Sequence, residues 1–174
     1  SELDLLFNAD IPHYLQKYRD SFLLQCYTGQ RYSDKIKINK NTIKLFKEPI
    51  DNIYGYIELV SRKTKTHVKI PIHKKIYELL ERNKFAIHYS HCTAENKYIK
   101  KVCELAGLTD MVTIDTGDVQ KSVPKYVLIS THTARRTFIT LMIKKGVTYK
   151  AIMEVSGIRE INTIMNYQKL LKEE

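Results

Sequence analysis

No apolar run in this 174-residue sequence approaches the roughly 20 residues a membrane-spanning helix needs, and no leader of cations followed by apolar residues opens it. The expectation is an intracellular, soluble protein of the cytoplasm, with no membrane partner. Cysteine is scarce. Cys26, Cys92 and Cys103 are odd in number and form no C-x-x-C pair, which excludes a disulfide framework and fits free thiols in a reducing compartment. His88 and His91 lie close in sequence to two of these thiols, but the spacing matches no common zinc pattern, so no metal centre is expected. Acidic residues are in deficit: 19 Asp and Glu against 29 Lys and Arg leave a formal charge of +10, which favours a polyanionic partner, nucleic acid foremost. Internal repeats and low-complexity segments are also lacking. With 43% hydrophobic residues the chain can build one sizeable core, so a single domain over residues 1–174 is expected. The chain opens at Ser1 rather than Met, as a piece of something longer would.

Periodicity divides the chain into three parts. Asp10 can cap a helix carrying Pro12 in its first turn and Tyr14, Tyr18, Phe22 and Cys26 at helical spacing, with Gly29 as its stop. Between Ile36 and Ile72 the period shortens. The runs around Ile43, from Tyr54 to Val60 and from His67 to Ile72 read as strands of a small antiparallel sheet, the last two flanking the basic turn Ser61-Arg62-Lys63-Thr64-Lys65-Thr66. Helices resume at Lys74, with Ile76, Leu79 and Leu80 inward, and again from a cap at Thr93 through Tyr98, Val102 and Leu105 to Gly107. Residues 108–130, with Asp110, Asp115, Asp118 and Pro124, read as a long, mobile loop. The final third is helical: Thr131 caps one helix, Thr148 a second that stops at Gly157, and Asn162 opens a third containing Ile164, Met165, Tyr167 and Leu170. The fold class expected is mainly α with a small three-stranded antiparallel sheet, α+β.

Thr131-His132-Thr133-Ala134-Arg135 is the centre of the functional reading. His132 and Arg135 are spaced i, i+3, about 60° apart on one helix face, where both can address one group. A guanidinium offers a planar fork to phosphate oxygens, and an imidazole can pass a proton near neutral pH. The pair reads as half of a phosphoryl-transfer site. Arg31, after the Gly29 stop, and the lysines of the basic turn each have an ordinary structural reading when taken alone.

Taken in order, these segments resemble the catalytic domain of the tyrosine recombinase, or phage-type integrase, family. Thr28-Gly29-Gln30-Arg31-Tyr32-Ser33-Asp34 resembles that family's first arginine box, T-G-x-R with an acid three residues on, here Asp34. The hairpin with Lys63 eight residues before Pro71 is similar to the family's lysine hairpin, and Lys65 is the alternative because hairpin register is not readable from sequence. His132-Thr133-Ala134-Arg135 matches the H-x-x-R box, and Tyr167 stands where the nucleophile belongs. The resemblance covers residues 10–170. One position departs from the pattern: Ile158 follows the glycine where the family usually has His, sometimes Trp, with Arg159 as the neighbouring cation. Loss of one such phosphate donor costs about 10²–10³ in rate at comparable oxyanion sites.

The resemblance implies site-specific DNA recombination or integration on double-stranded DNA, by breaking and rejoining strands through a 3′-phosphotyrosyl intermediate, as mobile genetic elements use. Arg31 and Arg135 would clamp the phosphate, Tyr167 would attack phosphorus, His132 would help remove the tyrosine proton, and Lys63 would protonate the departing 5′-oxygen. Asp34 would orient Arg31 or His132. Energy stored in the covalent link removes the need for ATP or a metal, so no cofactor is expected. The resemblance also implies a tetramer on DNA in the full-length protein and an N-terminal core-binding domain that is apparently absent from this chain. Two rivals remain at this stage. One is a non-enzymatic helix-turn-helix module over residues 148–167; the other is a type IB topoisomerase-like strand-nicking enzyme using the same residues.

Overall fold

In the computed structural model, residues 1–172 are described except 116, 118 and 119, and of 169–172 only the helical backbone. Asp118 and the Leu170 side chain therefore lie outside the described residues. A short helix not expected from periodicity opens the chain: α1 (Glu2–Asn8), whose capping Ser1 pairs reciprocally with Asp4. Only Leu6 of α1 is buried, and its chain end is held by Arg82 donating to the Phe7 carbonyl at 3.1 Å and Arg19 to the Ala9 carbonyl at 3.0 Å. The next helix, α2 (His13–Thr28), starts from Pro12 rather than from a capping Asp10. Tyr14 is 60% exposed, against expectation, while Leu15, Tyr18, Phe22, Leu23, Leu24 and Cys26 are buried.

Because α2 is enclosed on several sides, its polar residues are buried too and must find internal partners. Asp20 accepts from Arg19 at 2.8 Å, from Arg82 at 2.6 Å and from Asn83 at 2.8 Å. After the one-turn α3 (Tyr32–Lys35), the Lys35 ammonium is fully buried and paired with Glu95, whose other oxygen accepts from Ser21 at 2.8 Å.

The three-stranded antiparallel sheet expected from the sequence is present in the order β1 (Ile43–Ile50), β2 (Ile53–Val60), β3 (His67–His73). Asp51 and Asn52 join β1 to β2 with left-handed φ of 49° and 63°, the primed geometry that suits strand twist. Ile57 faces Ile70 and Leu59 faces Val68, so the buried side of the sheet alternates with its solvent side. Residues 36–38, whose alternation hinted at a strand, instead turn away from α3, with Ile38 buried.

Two helices follow: α4 (Lys74–Arg82), with Ile76, Leu79 and Leu80 inward as expected, and α5 (Cys92–Leu105), capped by His91 rather than Thr93. Residues 108–130 are not a long loop. They hold an antiparallel hairpin, β4 (Met111–Asp115) with β5 (Gln120–Pro124), and a 3₁₀ turn (Lys125–Leu128). Only Val112 and Ile114 on β4 turn partly inward, too brief an alternation to stand out among hydroxyl and acidic neighbours.

Three helices close the chain: α6 (Thr131–Lys144), α7 (Tyr149–Ser156) and α8 (Ile161–Lys172). Ser130 rather than Thr131 caps α6 through a reciprocal pairing with Thr133, and the Thr131 N–H donates to Asn96 Oδ1 at 2.8 Å. α7 starts at the expected Thr148 cap and stops at Gly157, φ 67°. The main core unites α2, α4, α5 and the sheet; a second cluster, Phe138, Ile139, Ile152, Ile158 and Ile164, joins α6, α7 and α8. Among the described residues no helix is long and apolar enough to cross a membrane.

Candidate active site

Gly29 ends α2 in the left-handed conformation, φ 68°, its N–H returned to the Gln25 carbonyl at 2.9 Å. That turn delivers Arg31 to the start of α3. Arg31 is half-buried, and its Nη1 is buried without a hydrogen-bond partner among the described residues.

Arg135 reaches the same place from α6. It is 6% exposed, and a single nitrogen, Nη1, donates to the Gly29 carbonyl at 2.8 Å and the Ser156 carbonyl at 2.9 Å. The second carbonyl belongs to the last turn of α7, where a helix leaves its C=O groups unpaired and carries partial negative charge. Burial pushes the Arg135 guanidinium down to about 10, and the neighbouring Arg31 charge pushes the same way, while Tyr167 and Asp34 oppose the shift. Arg31, Asp34 and Tyr167 thus all lie within electrostatic reach of Arg135. Among the described residues neither arginine has a carboxylate within ion-pair distance, so two cations within electrostatic reach of each other are left without a paired anion.

Asp34 occupies a different position from the one expected. Instead of orienting Arg31 or His132, its buried carboxylate accepts from the Ser61 hydroxyl at 2.9 Å, the Arg62 N–H at 2.6 Å and Lys37 at 3.3 Å. These are contacts to the base of the β2–β3 hairpin, so Asp34 holds the lysine-bearing turn against the first arginine loop. The turn is closed by Ser61 N–H donating to the Thr66 carbonyl at 2.9 Å. It is tied further by Thr64, whose hydroxyl lies 3.4 Å from the Gly157 carbonyl and accepts from Thr66 at 2.7 Å. Lys63 at the tip and Lys65, left-handed at φ 54°, are both exposed.

His132 lies one turn before Arg135 on α6 but is exposed where Arg135 is buried, so the two do not form one pincer in this state. Tyr167 is half-buried on α8 and packs against the second core cluster. Ile158 is itself a member of that cluster, so an apolar side chain fills the core where the resemblance expects a donor, while Arg159 is exposed.

Sequence reading missed Gln30, Ser61 and Thr64. Gln30 is fully buried and donates from Nε2 to the Thr28 carbonyl at 2.9 Å and the Val155 carbonyl at 2.7 Å. Its partners lie up to 125 residues away, and its neighbours in sequence are those of an ordinary polar turn. Among the described residues no cluster of His, Cys, Asp and Glu is arranged to hold a metal.

Comparison with known proteins bears on the family and the fold. The model of the phage integrase family matches residues 4–174. No curated protein sequence matches. Among solved structures, the XerH site-specific recombinase bound to palindromic difH substrate, a post-cleavage complex, superposes with a TM-score of 0.68 at 14% identity, covering 97% of this chain and 47% of that one. The Tn1549 transposon integrase in complex with circular intermediate DNA gives 0.59 at 16% identity over 94% of this chain and 57% of that one. The catalytic domain of bacteriophage HP1 integrase gives 0.58 at 16% identity, over 97% and 81%. The chain thus spans about half the length of the first of these proteins. At such identities the likeness carries the fold, and the family model carries the membership: this chain belongs to the phage integrase family.

Proposed function

We propose that this chain cleaves and rejoins double-stranded DNA in site-specific recombination or integration. The observation that carries this reading is that Arg31 and Tyr167 both lie within electrostatic reach of Arg135, with one Arg31 nitrogen buried and unpartnered among the described residues. A phosphodiester supplies the missing anion. Its non-bridging oxygens suit two guanidinium forks, whose charge neutralisation lets a nucleophile approach.

The Tyr167 phenol oxygen attacks phosphorus, the P–O5′ bond breaks, and the DNA is left with a 3′-phosphotyrosyl link and a free 5′-hydroxyl. His132 takes part in removing the phenolic proton. Lys63, or Lys65 on the same turn, gives a proton to the leaving 5′-oxygen, such steps being worth typically about 10²–10⁴-fold. Phenol leaves readily in the reverse step because its ordinary pKa is near 10, so the link is rejoined by attack of a DNA hydroxyl. Neither ATP nor a metal enters this balance. Ile158 supplies no donor, and the rate carries that loss. For His132 and Lys63 to act, the exposed side chains must fold onto bound DNA. The reading extends to one catalytic domain over residues 1–174, a tetramer on DNA in the full-length protein, and action in the cytoplasm.

The test is a nicked or bridging-phosphorothioate duplex library incubated with the wild-type chain and with Tyr167→Phe, resolved on denaturing gels. A covalent protein–DNA adduct from the wild type, absent in Tyr167→Phe, is expected. DNA binding with no adduct from either protein would leave only a helix-turn-helix binding module. Relaxation of supercoiled plasmid without two-site exchange would assign the chemistry to a topoisomerase-like nicking enzyme.

A further inference from the structure

The phosphotyrosyl reading uses the arginines but not the buried amide between them. We propose that Gln30 is a positioning residue that staples the first arginine loop to the end of α7, holding Arg135 and the tyrosine helix in register for cleavage. This rests on the reading proposed above.

Both groups facing the Gln30 nitrogen are carbonyls, Thr28 at 2.9 Å and Val155 at 2.7 Å, so the amide nitrogen must be the end that points to them. The staple has a second prong beside it. Arg135 Nη1 bridges Gly29 and Ser156, the residues immediately next to those two anchor segments. Two adjacent orphan carbonyls of the last turn of α7 are therefore claimed by two side chains, each of which also grips the loop at residues 28–29.

The consequence for chemistry lies in what each prong leaves free. Arg135 commits Nη1 to the two carbonyls, which leaves its other nitrogens without a protein partner among the described residues, within electrostatic reach of Arg31 and Tyr167. Without Gln30, Arg135 alone would span loop and helix, and its guanidinium would follow whichever of them moved. The end of α7 also sets where α8 begins, five residues after Ser156, and hence where Tyr167 stands. Misplacement by about 1 Å in such a constellation costs about 10²-fold in rate. Substrate affinity, carried by many phosphate contacts, need not change with it.

The experiment uses Gln30→Met, similar in volume but without donors, and Gln30→Asn, one methylene shorter and still a donor. Solvent exchange of the Arg135 guanidinium protons is followed by NMR without DNA, alongside single-turnover adduct formation, DNA affinity and thermal unfolding. In Gln30→Met, exchange about 10-fold faster, adduct formation slower by about 10- to 100-fold and DNA affinity within about twofold are expected, with Gln30→Asn between it and wild type. Unchanged Arg135 exchange in a folded Gln30→Met overturns the proposal whatever the activity. Loss of adduct only in proportion to the unfolded fraction overturns it too, as does a Gln30→Asn protein no better than Gln30→Met. Should the wild type form no adduct, the phosphotyrosyl reading fails instead, and Arg135 exchange still decides whether the staple exists.

Discussion

The ring of Phe138 lies where a side chain on Gly29 would have to stand: a Cβ built on Gly29 would be 2.2 Å from the Phe138 Cδ1. Through this contact α6 approaches the first arginine loop closely enough for Arg135, one turn earlier on the same helix, to reach the Gly29 carbonyl. Gly29→Ala meets two penalties, a left-handed φ worth about 1–3 kcal/mol and overpacking worth about 1–3 kcal/mol. Urea unfolding should show a loss in that combined range. Adding Phe138→Leu should recover part of the steric share and none of the φ share; a double mutant no more stable than Gly29→Ala would refute the contact as its cause.

Asp34 should act through the lysine hairpin. Asp34→Ala orphans the Ser61 hydroxyl and the Arg62 N–H, which predicts a loss of about 1–3 kcal/mol and faster hydrogen exchange over residues 61–66 than over α2. Adduct formation should fall more than DNA affinity does. Uniform exchange across the chain would show that Asp34 does not hold the turn.

The buried Lys35–Glu95 pair should be costly to break from one side. Glu95→Ala leaves a fully buried ammonium uncompensated and is expected to lose about 3–5 kcal/mol, whereas Lys35→Met with Glu95→Leu should lose less. Burial holds Lys35 below its ordinary 10.5 even with Glu95 beside it. The folded chain thus binds fewer protons here than the unfolded chain between the lowered value and 10.5. The stability Lys35 contributes is complete above 10.5 and is lost as pH falls through its folded value. Lys35→Met should remove that alkaline rise from the stability–pH curve.

The thiols should divide by burial. Burial pushes Cys103 up to about 12 and Cys26 well above the ordinary thiol value, so at pH 8 the Cys103 thiolate is about one part in 10⁴. Iodoacetamide on the native protein should label Cys92, which is half-buried beside Thr131 and Asn96, well before the other two. Equal labelling of all three under native conditions would contradict the core described above.

Much of the fold was legible because apolar residues at helical spacing and stop glycines carry their meaning locally. Gly29 and Gly157 end helices where expected, and Ile76, Leu79 and Leu80 point inward as their spacing predicts. The order of the arginine, lysine, H-x-x-R and tyrosine segments was equally legible. What was hidden is non-local. The β4–β5 hairpin rests on a cross-strand ladder between two short five-residue runs, α1 on carbonyls held by Arg19 and Arg82, and the role of Asp34 on a hairpin 27 residues away.

The amino-acid sequence by itself determined a mainly helical chain with one small antiparallel sheet, a strongly basic charge, and the residue types of a phosphoryl-transfer site in their order. Only the tertiary structure decided that Arg31 and Tyr167 come within electrostatic reach of Arg135 while His132 and Lys63 stay exposed, that Asp34 grips the hairpin, and that Ile158 belongs to the core. The reason is physical: a periodic apolar pattern reports which face of an element is buried, whereas the partner of a buried polar group depends on which distant carbonyl or carboxylate the packing brings within 3 Å.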